Sequence, residues 1–442
     1  MNLSMLFLSV FNRFAWVFWP IIVMLMLNTA TLCMAAQKGN VVFVHPDGTG
    51  LGHWNIARLL TVGPDGMSHW DRMDRLAAYR PHQKGWLSTT SHAGATVHAY
   101  GRKVHPDSYG LDRDKPLTAL SGRKQSIMQE AMTAGIRVGV VNTGHIGEPG
   151  TGVFLASNES RKNISEIAAA VVGSGADLIL SGGEIYMLPE GVMGRHGSPG
   201  VRADDRNLLQ EAREAGYAVV FTKEELAALP SDTKKVLGVF AAVNTYNDRS
   251  EAFLARNGLE LYDPAAPTFA DMIEEALRIL SHKDQQFFLV AEEEGTDNFS
   301  NYLNGRGMAE AVVRADAGIG KAMNFVEGRS DTLLLVTADS DAGHPAVWSR
   351  YEWNARTYLP ELSDTGALVD AASVTGRNPF LSKPDSFGKV HAFGIIWSMT
   401  SDGMGSSVAK AHGFRSDLIG STFDNISAYR VCYQVLFQKA IK

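Results

Sequence analysis

The sequence FFLVAEEEGTD (Phe287–Asp297) joins an uninterrupted apolar run to a cluster of acidic residues. Two other segments have the same form, VVFVHPDG (Val41–Gly48) and LLLVTADSDAGH (Leu333–His344). A short run of Val, Leu and Phe is typical of a strand that is buried on both faces of a parallel sheet. Because ligands bind outside the carboxyl ends of parallel strands, the three acidic ends are predicted to meet at one edge of one sheet.

The carboxylates gathered at this edge would repel one another unless a counter-charge lies among them. Divalent cations are the counter-charge that carboxylate groups bind most readily in proteins. The predicted cluster consists of Asp47, Glu292, Glu293, Glu294, Asp297, Asp339 and Asp341. A solvated acidic loop is the alternative for Phe287–Asp297 and Leu333–His344, and the apolar run directly before each acidic cluster argues against it. For Val41–Gly48 the alternative is that Asp47 forms a turn or caps the N-terminus of a helix.

Strand-like and helix-like segments alternate along the chain without a linker-like break. The further predicted strands are Val138–Asn142, Leu178–Leu180, Ala218–Thr222, Leu237–Val243 and Phe393–Trp397, and the predicted helices are Gln125–Ala134, Ser160–Val172, Arg206–Ala215, Phe269–His282, Met308–Val326 and Ile426–Ala440. The alternation predicts an α/β fold, with a doubly wound, mostly parallel central sheet and helices on both faces. The stretch Ala346–Asp385 is rich in Pro, Gly, Ser and Asp and is predicted to be a loop-rich insertion near the site.

The N-terminus differs from the rest of the chain. The segment Phe14–Cys33 is almost wholly apolar and is followed by small residues, so residues 1–36 are predicted to be a secretory signal peptide or, alternatively, a retained membrane anchor. The protein is therefore expected to be exported, either periplasmic or secreted, and to contact a membrane only if this segment is retained. The formal net charge is −6 and Lys/Arg-rich runs are lacking, so nucleic-acid binding is not predicted. Cys432 would then be the one cysteine of the mature chain and is interpreted as a core residue.

Two polar residues outside the acidic segments have features of an oxyanion site. Ser91 lies in STTSHAGATVHAYG (Ser88–Gly101), at the predicted start of a helix rich in small residues. The unpaired N–H groups and positive dipole at a helix N-terminus favour a phosphate or a developing alkoxide, although simple N-capping is the alternative. Arg161 is suited to a bidentate contact with a tetrahedral oxyanion, although most such arginines are surface residues.

Taken in order, these segments resemble those of the alkaline phosphatase family. The segments VNTGHIGEPGTGVFLASNESR (Val141–Arg161) and SDGMGSSVAKAHG (Ser401–Gly413) also share the resemblance, which extends over nearly the whole of residues 37–442. It implies a single catalytic domain over residues 37–442 that hydrolyses small-molecule phosphate monoesters through a phosphoserine. The resemblance also suggests a homodimer.

The resemblance implies roles for individual residues. Ser91 matches the nucleophile and Arg161 matches the arginine that binds the phosphate. The positions that match metal ligands of the family are Asp47, Glu148, Glu292, Asp297 and Asp339.

The chain also departs from the family pattern. Asn301, Ser340 and Gly403 occupy positions that carry zinc-binding histidines in the family. Thr90 replaces the aspartate before the nucleophile, and Gly150, next to Thr151, replaces a hydroxyl residue of the magnesium site. Because carboxylates favour magnesium, calcium or manganese over zinc, divalent metal ions are predicted, with Mg²⁺ first and Ca²⁺, Mn²⁺ or Zn²⁺ as alternatives. The candidate replacement ligands are Asp341, His344, Asn301 and Asp402.

Other functions stay open at this level. The chain could be a phosphodiesterase, phosphonate hydrolase or sulfatase of the wider superfamily, with Thr89 or Thr90 as the nucleophile. It could also be a non-catalytic protein that binds an oxyanion or a metal. Each histidine near the predicted site could bind a metal or act as an acid, but each one alone is interpreted as a packed or hydrogen-bonded structural residue. They are His45, His53, His92, His98 and His145.

Overall fold

The computed structural model describes residues 38–373 and 376–441. Its central feature is a ten-stranded sheet with the order β18-β2-β17-β10-β1-β9-β5-β6-β8-β7. These strands are β1 (Asn40–Pro46), β2 (Arg75–Arg80), β5 (Arg137–His145), β6 (Leu178–Gly182), β7 (Ala218–Val220), β8 (Val236–Val239), β9 (Phe287–Glu293), β10 (Thr332–Thr337), β17 (Val408–Gly413) and β18 (Thr422–Asp424). In this sheet β17 runs antiparallel to both of its neighbours, whereas all the other neighbouring pairs are parallel.

The three strands with acidic ends are neighbours in this sheet. β1 lies between β10 and β9 and is parallel to both. Side chains alternate between the two faces of a strand, and here both faces are buried. Val41 and Phe43 contribute to one hydrophobic core, whereas Val42 and Val44 contribute to the other. The continuous apolar runs are therefore explained by burial on both faces.

Helices cover both faces of the sheet. The described helices are α1 (Leu51–Thr61), α2 (Ser91–Tyr100), α3 (Ile127–Thr133), α4 (Pro149–Gly152), α5 (Ile164–Val172), α6 (Leu208–Glu214), α7 (Lys223–Ala227), α8 (Glu251–Asn257), α9 (Phe269–Leu280), α10 (Gly295–Asn301), α11 (Gly305–Val326) and α12 (Ile426–Phe437). Helices α2, α3, α5, α6 and α12 pack on the first core, and α1, α8, α9 and α11 pack on the second. The predicted doubly wound α/β class is confirmed, and all six predicted helices are present.

Three strands of the central sheet, β2, β17 and β18, were not predicted from the sequence. These strands have the sequences RLAAYR, VAKAHG and TFD, which lack an apolar run, and alternate residues of β2 are exposed to solvent. Phe393–Trp397 was predicted as one of the alternating strands. It lies instead in β15 (Ala392–Trp397), within a separate antiparallel sheet.

The separate sheet contains much of the predicted insertion, Ala346–Asp385. Its other strands are β12 (Ala346–Trp348), β13 (Leu368–Asp370) and β14 (Phe380–Leu381), and all three pair with β15. Two-residue strand pairs elsewhere are β3 (Leu111–Asp112) with β4 (Lys115–Pro116), and β11 (Asp341–Ala342) with β16 (Asp402–Gly403). The predicted insertion is therefore partly ordered into strands.

The N-terminal prediction cannot be compared with this fold, because residues 1–36 lie outside the described residues. Among the residues that are described, none of the helices has the length and apolar character needed to cross a bilayer. Cys432 is buried in α12, and burial raises the pKa of its thiol to about 12.

Glu293, the last residue of β9, is held by hydrogen bonds within the protein. Glu293 points to the face opposite Glu292, where its Oε1 accepts hydrogen bonds from Tyr262 at 2.8 Å and Thr143 at 3.0 Å. Burial raises the pKa of Glu293 to about 7, although these hydrogen bonds act against the shift. The folded state therefore holds this proton more tightly than the unfolded chain, in which a glutamate has a pKa of about 4.3.

We predict that Phe154→Ala destabilises the fold by about 3 to 5 kcal/mol. The Phe154 ring is 1% exposed and packs edge-to-face on Phe43 of β1 and Phe288 of β9, at centroid distances of 6.3 and 6.1 Å. Urea denaturation would measure the loss. Phe387→Ala is the control, because that ring is 93% exposed and its removal should change stability by less than about 0.5 kcal/mol. Equal effects of the two substitutions would contradict the prediction.

We also predict that Glu293→Gln changes how stability depends on pH. The wild-type protein should lose stability as pH rises from about 4.3 to about 7, because folding must then keep a proton on Glu293 or bury its charge. Glutamine does not titrate and carries no such cost. From pH 5 to pH 8, the free energy of unfolding of the variant should therefore rise by about 3 kcal/mol relative to that of the wild type. Urea denaturation at both pH values would test this, with exposed Glu327→Gln as the control. Parallel pH profiles for wild type and Glu293→Gln would refute it.

Candidate active site

Buried carboxylates meet where β10, β1 and β9 end. Asp47 follows β1 directly, Glu292 and Glu293 end β9, and Asp339 follows β10 by two residues. The cluster predicted from the three acidic segments is present at this edge, and each of its members, Asp47, Glu292, Glu293, Glu294, Asp297, Asp339 and Asp341, is at most 4% exposed. A solvated acidic loop is therefore excluded for Phe287–Asp297 and Leu333–His344.

Asp47 lies at the centre of the cluster. The turn after it places Gly48 at a φ of +65°, and the Gly48 N–H donates to Asp47 Oδ1 at 2.9 Å. Asp47 belongs to two groups whose potential ligand atoms lie within 4.8 Å of one another: His45 with Asp47 and Glu292, and Asp47 with Glu294 and Asp297. Asp47 is thus positioned to be shared by two cations.

The first group contains an imidazole. His45 Nδ1 lies 3.2 Å from Glu292 Oε1. His45 Nε2 lies 3.8 Å from Asp47 Oδ1 and 3.9 Å from Asp339 Oδ1. Asn142 donates a hydrogen bond to Glu292 Oε2, so both oxygens of Glu292 are engaged.

The second group consists of oxygen ligands. Asp297 lies in the first turn of α10, and its Oδ2 accepts a hydrogen bond from Asn301 Nδ2 at 2.7 Å. The same Asn301 nitrogen lies 3.2 Å from Asp402 Oδ1. Glu294 precedes α10, and its N–H donates to Thr143 Oγ1 at 3.0 Å. Two of the predicted replacement ligands, Asn301 and Asp402, therefore lie beside Asp297.

Three carboxyl groups of the cluster, Glu294, Asp297 and Asp339, favour the neutral form when no cation lies among them. Burial, and then the charges of neighbouring carboxylates, raises the pKa of Glu294, Asp297 and Asp339 well above their usual range. The strongest neighbouring charge is Glu148 for Glu294, Asp402 for Asp297 and Asp47 for Asp339. Ionisation of this cluster thus requires positive charge among the carboxylates.

Several buried oxygens here lack partners. Within the described residues, hydrogen-bond partners are lacking for Asp47 Oδ2, Glu294 Oε2, Asp297 Oδ1 and both carboxylate oxygens of Asp339. Buried polar atoms in native proteins nearly always have a partner, and an ion is one explanation for those that do not. The donor set and its unpaired atoms therefore fit divalent cations.

Glu148 is held differently from the other carboxylates. Its Oε1 lies 2.9 Å from His145 Nε2, and its Oε2 accepts a hydrogen bond from Arg161 Nη2 at 3.3 Å. Burial acts to raise the pKa of Glu148, but His145 and Arg161 outweigh it and lower the pKa overall. Both oxygens of this predicted metal ligand are thus already paired, and Glu148 lies between the cluster and Arg161.

Ser91 and Arg161 lie beside this cluster on the first-core side of the sheet. Ser91 is 5% exposed and is the first residue of α2, with Thr90 as the N-cap. One turn further, Gly94 is so close to Asp339 that a Cβ there would lie 2.5 Å from the Asp339 Cβ. Burial, and then the charge of Arg161, lowers the pKa of His92, the second residue of α2, to about 4.

The charge on Arg161 also links it to the carboxylates. The Arg161 side chain is 40% exposed. Partial loss of water acts to lower its pKa, but Glu148, Glu294, Asp297 and Asp47 raise it overall. The helix N-terminus, the guanidinium and the carboxylate cluster thus form one neighbourhood that suits a phosphate group.

Asp341 and His344 form a neighbouring group. Asp341 Oδ2 accepts hydrogen bonds from the Ser406 N–H at 2.6 Å and the Ser406 hydroxyl at 3.0 Å. Asp341 Oδ1 lies 3.6 Å from His53 Nδ1. His344 has a φ of +45°, and its Nε2 is buried without a partner in the described part of the chain. Neither residue belongs to the two groups that share Asp47.

Two residues at the centre of the site were not among the predicted ligands. His45 precedes Asp47 by two positions on a strand, so both side chains point to the same face. Glu294 lies within the acidic run itself and is brought to Asp47 by the start of α10. The two-residue spacing of His45 and Asp47 was thus the sequence feature that could have identified His45. For Glu294 the feature was its place in the acidic run.

Comparisons with known proteins agree with this geometry. Residues 38–363 match the family model described as alkaline phosphatase. The chain is 26% identical over 339 residues to alkaline phosphatase 4 of Bacillus subtilis, covering 73% of this chain and 66% of that protein. It is 25% identical over 336 residues to an alkaline phosphatase of Gadus morhua, covering 68% of each chain.

Solved structures show the same fold. The alkaline phosphatase of Thermus thermophilus superposes with a TM-score of 0.70 at 18% identity, covering 92% of this chain and 93% of that chain. A cold-active enzyme of Shewanella gives a TM-score of 0.67 at 22% identity, covering 90% and 99% of the two chains. The predicted family and fold are confirmed, and with the family comes assignment to the phosphoric ester hydrolases. The chain belongs to the alkaline phosphatase family.

Proposed function

We propose that the protein hydrolyses small-molecule phosphate monoesters, with Ser91 as the nucleophile and with divalent cations at the carboxylate cluster. One observation carries the proposal. The first turn of α2, which begins with Ser91, packs on Asp339. The charge of Arg161 acts both on His92 in this turn and on carboxylates of the cluster that include Asp47.

The residues suggest how the reaction proceeds. Ser91 Oγ forms a bond to phosphorus while the ester oxygen leaves and takes up a proton as the alcohol. Water then cleaves the phosphoserine, which releases inorganic phosphate and restores the serine. Arg161 donates N–H groups to the phosphate oxygens, and its contact with Glu148 orients the guanidinium.

Ser91 is better placed for attack than its neighbour. Thr90 Oγ1 donates a hydrogen bond to the Pro106 carbonyl at 2.8 Å. In the described residues no comparable bond occupies the Ser91 hydroxyl. This difference favours Ser91 over Thr90, which the sequence had left open.

The cluster would hold cations through different donor sets. Asp47, Glu294 and Asp297 supply oxygen atoms, and Asn301 and Asp402 lie within reach of Asp297. When bound, the cations would lower the pKa of the serine hydroxyl and neutralise charge on the phosphate oxygens. Magnesium is bound in two variants of the TAB5 alkaline phosphatase, an enzyme from an Antarctic bacterium. The oxygen-rich set here suits the same ion.

Three further features are also part of the proposal. Residues 1–36 would direct export, which cell fractionation with N-terminal sequencing would test. Residues 346–385 would act as an insertion that shapes the leaving-group side, which a deletion variant would test through its KM. Light scattering would show whether the protein is a homodimer.

We predict that Ser91→Ala lowers the release of phosphate from an aryl phosphomonoester by at least about a thousandfold, because the nucleophile is lost. The assay would contain Mg²⁺ at alkaline pH, and the variant should keep the metal content and melting temperature of the wild type. Thr90→Val is the comparison variant and should retain most of the activity. Activity that survives Ser91→Ala but not Thr90→Val would move the nucleophile to Thr90. If neither the wild type nor Thr90→Val released phosphate, the result would contradict the phosphomonoesterase proposal. It would instead indicate a phosphodiesterase or a non-catalytic binding protein.

We also predict that protein purified without chelators contains Mg²⁺, Ca²⁺ or Mn²⁺ in at least one position. The positions of three family histidines are Asn301, Ser340 and Gly403 here, and oxygen ligands favour these harder ions. Elemental analysis by mass spectrometry would measure the content. Two equivalents of zinc, with none of the harder cations, would contradict the prediction.

A further inference from the structure

His45 is a buried histidine with one ring nitrogen unaccounted for. It lies on β1, two residues before Asp47, and is 1% exposed. The Nε2 atom has no hydrogen-bond partner among the described residues. Buried polar atoms nearly always have a partner, so a bound ligand is one explanation for this unpartnered ring nitrogen among buried carboxylates.

The other ring nitrogen determines the tautomer. Nδ1 lies 3.2 Å from Glu292 Oε1, and a neutral imidazole in that position donates Nδ1–H to the carboxylate. Glu292 is itself held by the Asn142 amide, which also donates to Thr151 Oγ1 at 2.8 Å. With the proton on Nδ1, the lone pair of His45 lies on Nε2.

Nε2 points towards two carboxylates. It lies 3.8 Å from Asp47 Oδ1 and 3.9 Å from Asp339 Oδ1. A nitrogen ligand lies about 2.0–2.1 Å and an oxygen ligand about 2.0–2.2 Å from a zinc ion, so the two can be at most about 4.3 Å apart, when they lie on opposite sides of the ion. Both distances are within this limit, and both oxygens of Asp339 lack other partners in the described chain.

We propose that His45 Nε2 binds a divalent cation together with Asp47 and Asp339, and that Glu292 orients the imidazole. A metal-bound histidine commonly donates its second N–H to a carboxylate in this manner. The inference rests on the metal dependence in the proposed function. In this arrangement β1 supplies an imidazole to the cation site at Asp47 and Asp339, which Ser340 cannot do. Glu292 then acts as a positioning residue.

The surrounding residues are shaped for this arrangement. A Cβ at Gly150 would lie 1.7 Å from Glu292 Oε1 and 2.6 Å from His45 Nδ1, so a side chain there is incompatible with the pair. On another side, the His98 ring packs edge-to-face on His45 at a centroid distance of 5.7 Å. His98 Nε2 is hydrogen-bonded to the Tyr79 hydroxyl at 2.7 Å, which fixes this packing partner.

The two cation positions then differ in chemistry. The position at His45, Asp47 and Asp339 has one nitrogen donor and suits zinc, cobalt or manganese. The position at Asp47, Glu294 and Asp297 has oxygen donors and suits magnesium or calcium. Substituting His45 should therefore weaken zinc binding much more than magnesium binding.

X-ray absorption spectroscopy of the purified protein loaded with one equivalent of Zn²⁺ tests the inference. The wild type should show the outer-shell scattering of one imidazole, and His45→Gln should lose it. Equilibrium dialysis should show a loss of zinc affinity of more than about tenfold, since removal of an orienting partner alone commonly costs that much. Magnesium affinity should change by less than about threefold, because its ligands are untouched.

Two other histidines serve as comparisons. His98→Gln alters the packing beside His45 and should keep the imidazole scattering. His344→Gln removes another unpartnered imidazole and should keep it too. Imidazole scattering and zinc affinity that persist in His45→Gln would overturn the inference, as would their loss in His344→Gln. If His45→Gln fails to fold, the wild type and His344→Gln decide: imidazole scattering in both supports the inference, and its absence from the wild type overturns it.

This experiment is separable from the test of the proposed function. Imidazole ligation lost with His45→Gln, in a protein that releases no phosphate, would support the inference and refute the phosphatase proposal. Ser91-dependent phosphate release, with no imidazole on the zinc, would support the phosphatase proposal and refute the inference.

Discussion

The burial of several carboxylates at one edge of a parallel sheet is the constraint on which the site depends. Each of these groups has lost the water that would stabilise its charge, and each lies within reach of other negative charges. Protonation relieves the repulsion in the absence of a cation, and a divalent cation relieves it while leaving the oxygens ionised. The unpartnered oxygens of Asp47, Asp297 and Asp339 follow from the same constraint.

The fold supplies this arrangement through strand order. β1 lies between β9 and β10, so the acidic ends of three distant segments become neighbours. Both faces of these strands are buried by helices, which leaves the carboxyl edge as the place where polar side chains collect. Rigid strands on either side also limit how far the carboxylates can move apart.

Polar groups from several elements lie around Asp47 and Asp297. Asp402 and Asn301 lie beside Asp297, and Glu294 faces Asp47. His45 brings an imidazole from within β1. The polar groups of the site therefore come from different elements. If cations bind as proposed, an oxygen-rich position would lie next to one that includes nitrogen.

The sequence by itself determined the fold class, six of the helices, the three neighbouring strands and the gathering of their acidic ends, because an apolar run and its flanking residues are local signals. It did not indicate β2 or β17, whose alanine-rich and charged sequences form strands only because neighbouring strands pair with them. Only the tertiary structure decided that Glu148 is paired with His145 and Arg161 while Glu294 faces Asp47. Strand alternation sets the face to which a side chain points, but the distance between side chains from different segments depends on how those segments pack.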